Sequence, residues 1–115
     1  MLPAEALATV HNTGERWYEA ELHRLKGELL LAQEGKRHKS VEGEACFQQA
    51  LAIARRQQAK SLELRAAMSL ARLWRQRGKR AEAYELLAPI YGWFTEGFDT
   101  ADLQEANALL KELGA

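Results

Sequence analysis

The chain has 115 residues, sixteen of them Lys or Arg and sixteen Asp or Glu, so its formal charge is zero, and 47% of it is apolar. That is the size of one domain, able to bury roughly two-thirds of the surface its unfolded form exposes without disulfides or metals. The lone Cys46 excludes an internal bridge, the N-terminal residues lack the order of a signal peptide, and no apolar run approaches the roughly 18 to 20 residues of a membrane span, so the expected setting is the cytoplasm.

Two prolines, Pro3 and Pro89, and an abundance of Ala, Leu, Glu, Gln, Arg and Lys predict an all-α chain. Punctuation divides it into about six helices, with connections short enough to make sequential helices antiparallel. The first covers 3–12 and ends at Asn12, Thr13 and Gly14. A second runs from about Glu15 to Glu34, a third from a cap at Ser40 to about Gln58, and a fourth from Lys60 or Ser61 to a stop at Gly78. A fifth spans Arg80 to Phe94, and the last begins at Asp99 or Thr100 and reaches Leu113. In the fourth, Leu62, Leu64, Ala66, Ala67, Leu70, Ala71, Leu73 and Trp74 cover about 200° of the helix, which suits packing between two neighbours. Arg65, Arg72 and Gln76 fall on the other side, with Arg75 and Met68 at its edge, as a basic strip.

Zero net charge conceals three blocks. Residues 1–35 carry a net of minus three, residues 36–80 plus nine, and residues 81–115 minus six. The central excess offers two readings: nonspecific phosphate affinity over 36–80, or a basic surface for an acidic partner. Acidic flanks and the lack of a recognised reader motif weigh against nucleic acid.

An internal repeat is present. Ala67, Leu70, Ala71 and Trp74, then Gly78, Ala83 and Leu87, form one copy, and His23, Lys26, Gly27 and Leu30, then Gly35, Gly43, Phe47 and Ala50, form an earlier and weaker one, in which His23 and Lys26 take slots that are usually large and apolar. Phe47 and Leu87 lie 40 residues apart, as do Ala50 and Ile90, and Ala106, Leu109, Leu110 and Leu113 begin a third copy. These slots resemble the tetratricopeptide repeat. More specifically, residues 14–31, 44–51 and 87–100 resemble the C-terminal repeat array of large bacterial regulators, in which a class III adenylate or guanylate cyclase domain, or a DNA-binding domain, precedes a signalling ATPase.

The resemblance implies an α-solenoid of helical hairpins within a single domain: a trailing helix at 3–12, repeat one at 15–58, repeat two at 61–94 and a partial third repeat at 100–113. It also implies a non-catalytic scaffold whose first helices line a concave groove for a peptide or partner helix. Carried over slot by slot, the groove residues are Glu21, Arg24 and Glu28, then Arg65, Met68, Arg72, Arg75 and Gln76, then Gln104, Asn107 and Lys111. Arginine forks in the middle set suit an acidic peptide, the alternative being a solvated face. Apolar residues on the end helices, Leu2, Leu7 and Val10 and Leu103 to Leu113, suggest self-association.

No catalytic site, metal site or cofactor is expected. Phosphate-binding, dinucleotide and nucleophile-elbow motifs are absent, and His11, His23 and His38 have no metal-ligand spacing. Cys46 beside Phe47 reads as a small core residue, and Trp93, Phe94 and Phe98 as a clamp for the last helix.

Overall fold

A computed structural model describes residues 16–33 and 37–114. Among them there are five helices and no strand: α1 (Arg16–Leu31), α2 (Arg37–Arg56), α3 (Lys60–Gln76), α4 (Arg80–Gly92) and α5 (Ala101–Gly114). The expected helix at 3–12 lies outside the described residues. The other five expected helices are all present, with shifted ends. Ser40 was expected to cap α2, yet the helix already begins at Arg37, and α4 stops at Gly92 rather than Phe94.

Two helix ends have the same hydrogen-bond pattern. After α2, the Gln58 N–H donates to the Arg55 carbonyl at 3.1 Å and the Ala59 N–H to the Ala54 carbonyl at 2.9 Å. After α3, Gly78 donates to Arg75 at 3.0 Å and Lys79 to Trp74 at 2.8 Å. Each turn reverses the chain through one left-handed residue, Gln58 at φ 56° and Gly78 at φ 80°. These turns stand 20 residues apart and set the spacing of successive helices.

Each helix packs on its successor, and α3 additionally touches α1 and α5, whereas α2 and α4 do not meet. Placing α3 between so many neighbours requires burial almost all round. From Leu62 to Leu73 only Arg65 and Arg72 escape it. Met68, expected at the edge of the polar side, is therefore buried, and so are Glu63 and Ser69. The main core joins Phe47, Leu64, Leu70 and Leu87 with Ala67, Ala71, Ala83 and Ala106. A smaller cluster of Ala20, Ile53, Ala54 and Leu62 lies beside it.

Small residues decide where the hairpins close. A Cβ on Gly27 would stand 2.6 Å from Phe47 Cε1 and 3.0 Å from the Gly43 carbonyl oxygen, while one on Gly43 would meet Leu31 at 3.0 Å. The backbones of α1 and α2 thus nearly touch, with Phe47 filling the space beside them. In the next hairpin the corresponding slots hold Ala71, Ala83 and Leu87, all fully buried.

Candidate functional site

The α1–α3 and α3–α5 contacts bring five of the eleven expected groove residues together. Arg24, Arg65, Met68 and Arg72 line a cleft of about 340 Å³, with Met68 buried among them. The cleft's other walls are Asp102 and Glu105 from α5, two acids that the sequence reading did not assign to it. Glu21 sits beside the cleft through its bonds to Arg24 and Arg65. Glu28 and Gln76 are exposed and do not line it. Asn107 and Lys111 border a different groove of about 530 Å³, walled by Tyr84, Ala88, Tyr91, Leu110 and Gly114.

The basic strip exists, and carboxylates of the flanking helices occupy it. Arg65 donates to Asp102 at 2.8 Å and to Glu21 at 3.4 Å. Arg72 reaches Glu105 at 3.3 Å, Arg75 pairs with Glu112, and Arg80 donates to the Glu112 carbonyl. Glu21 also binds the Arg24 fork through two bonds, at 3.0 and 3.1 Å. The partners on α3 and α5 are offset by a near-constant 33 to 37 residues, as side-by-side helices running in the same direction require. The three charge blocks therefore meet along this strip, where acids of both flanking blocks pair with Arg65, Arg72 and Arg75 of the middle one.

Protonation follows from these contacts. Burial works to raise the Glu21 pKa, but the hydrogen bonds and charges of Arg24 and Arg65 outweigh it and hold the group below its ordinary 4.5. Arg65 binds its proton more firmly than usual, mainly because of its bond to Asp102.

A second polar cluster ties α2 to the end of α3. Glu44 accepts from Trp74 Nε1 at 2.9 Å and from Arg77 at 2.6 Å. The other Arg77 nitrogen reaches Ser40 Oγ at 2.7 Å and the Ser40 carbonyl at 3.1 Å. Arg77 and Trp74 together push the Glu44 pKa down. At the opposite end of α3 the buried Glu63 binds Arg55 at 3.1 Å and Lys60 at 3.2 Å, and Lys60 lies 5.5 Å from the centre of the Trp93 ring.

The aromatic clamp holds only in part. Phe94 packs on the main core, whereas Trp93 is more than half exposed and stands edge-on to it. Phe98 is exposed too, resting against Tyr91 at 5.8 Å. Cys46 is half-buried. Among the described residues no three His, Cys, Asp or Glu are grouped as a metal would require, and no helix is long and apolar enough to cross a membrane.

Comparison with known protein families, curated proteins and solved structures finds no match.

Proposed function

We propose that this chain is a non-catalytic protein-interaction scaffold, an α-solenoid of the tetratricopeptide kind whose α1–α3–α5 face receives a peptide or partner helix. One observation carries the reading: the same close-contact slots recur in two successive hairpins, Gly27, Gly43 and Phe47 and then Ala71, Ala83 and Leu87. Recurrent contacts of that kind give stacked hairpins, and stacked hairpins expose an extended curved face. The resemblance of residues 14–31, 44–51 and 87–100 supports a wider setting, the cytoplasmic C-terminal region of a bacterial signalling protein.

Charge pairing refines the partner. A purely acidic peptide would have to displace Asp102 and Glu105 from Arg65 and Arg72, whereas a segment carrying both signs could pair with the cleft's arginines and carboxylates together. The same pairing weakens the nucleic-acid reading, because Arg55, Lys60, Arg65, Arg72, Arg75 and Arg77 all contact carboxylates already.

Photo-crosslinking in cells tests the face directly. A crosslinker at Gln104 or Glu28 is expected to capture a discrete protein other than a second copy of this chain, and one at Glu85, on the exposed side of α4, to capture none. Arg72→Glu is expected to reduce the capture. Equal capture from all three sites, or indifference to Arg72→Glu, would make the face assignment wrong.

A further inference from the structure

We propose that the outer side of α1 is a self-association surface, on which a second copy of this chain packs its own α1 antiparallel. Tyr18, Leu22, Leu25 and Leu29 recur at spacings of four, three and four, within an arc of about 60° at 100° per residue. All four are between 47 and 68% exposed. The opposite side of the helix is already in use, with Ala20 buried and Gly27 closed against Gly43 and Phe47. So α1 is apolar on two sides: small residues face its own hairpin and large ones face outward. The outward spacing is that of the a and d positions that pair helices with one another.

Charges along the stripe select the occupant. On one edge stand Glu19 and Lys26, which have no ionic partner among the described residues. A two-fold axis that sets Leu22 against Leu25 and Tyr18 against Leu29 brings each Glu19 beside Lys26 of the second copy. A parallel arrangement would instead offer Lys26 the carboxylate of Glu21, which Arg24 and Arg65 already hold. On the other edge Glu28 approaches Glu21 of the second copy, where Arg24 offsets the like charge. Two heptads are fewer than the three or four of a free-standing coiled coil, so the dimer is reversible. It borders the cleft only at Glu21 and Arg24 and leaves Arg65, Met68 and Arg72 open to a partner, so it does not rest on the reading above.

Sedimentation of the full chain over a wide concentration range tests this. The expected mass rises from 13.0 kDa toward twice that value. Leu22→Glu with Leu25→Glu is expected to hold the chain at 13.0 kDa, with the helix content and melting temperature that the parent has at concentrations where it is a monomer. Lys26→Glu should weaken association about tenfold or more, and Glu19→Lys added to it should restore association. A parent that is monomeric throughout overturns the proposal, as does a Glu variant that still dimerises. A Glu variant that melts early would show the stripe to be covered within one chain, which also overturns it, and failure of the charge exchange to restore association excludes the antiparallel pairing.

Discussion

At the scale of single residues, Gln58 adopts a backbone conformation that Gly78 adopts with no Cβ to clash. A side chain in the left-handed region costs roughly 1–2 kcal/mol, partly offset in glycine by its greater freedom when unfolded. Gln58→Gly should therefore raise the melting temperature by a few degrees, on the order of 0.5–1 kcal/mol; a fall on thermal denaturation would show that the Gln58 side chain contributes more than its backbone costs. Ser69 is a second such residue, since its buried hydroxyl has no hydrogen-bond partner. Removing an unsatisfied buried group is neutral or stabilising. Ser69→Ala should leave the urea midpoint unchanged or raise it, and a loss above about 1 kcal/mol would reveal a bond to the hydroxyl. The helix stop near Gln58 was legible in the sequence, but its left-handed conformation was not, because nothing in the residue type demands it.

Between elements, the decisive feature is how near α1 and α2 approach. Gly27→Ala drives a methyl group into Phe47 and the Gly43 carbonyl, and overpacking of this kind costs about 1–3 kcal/mol. Gly92→Ala meets nothing within 4 Å and lies in the last turn of α4, so helix propensity should make it neutral or slightly stabilising. Opposite signs for the two changes on chemical denaturation are the expected result; equal effects would mean the α1–α2 crossing is looser than described. The sequence announced this crossing through small residues at matching repeat slots. It also held the 4-3-4 spacing of Tyr18, Leu22, Leu25 and Leu29, although the breadth of apolar surface on α3 drew the reading to that helix. Helical periodicity identifies which side of a helix is apolar, but whether a neighbour covers that side depends on the chain's path.

For the molecule as a whole, the ion pairs link stability to pH. Glu21 and Glu44 both have depressed folded-state pKa values, so their stabilisation is fully present above the ordinary 4.5 and is lost as the pH falls through the depressed values. Urea midpoints measured from pH 7 downward should fall in that acid window, and Glu44→Gln should make the fall shallower; an unchanged slope would show that Glu44 titrates alike in the folded and unfolded chain. The half-exposed pairs of Arg72 and Arg75 should contribute little at physiological salt. Three charge blocks were visible in the sequence, but the pairing of Arg65 with Asp102 was not, because a register between helices 37 residues apart leaves no local pattern.

That register has a consequence for synthesis. A chain made from its N-terminus presents Arg65, Arg72 and Arg75 while the acids that meet them on α5 are still 33 to 37 residues from being added. Until α5 docks, the strip on α3 thus carries positive charge that the folded stack of helices does not show. Docking of α5 removes that charge, so an anionic surface would bind the strip before α5 closes on it and not after.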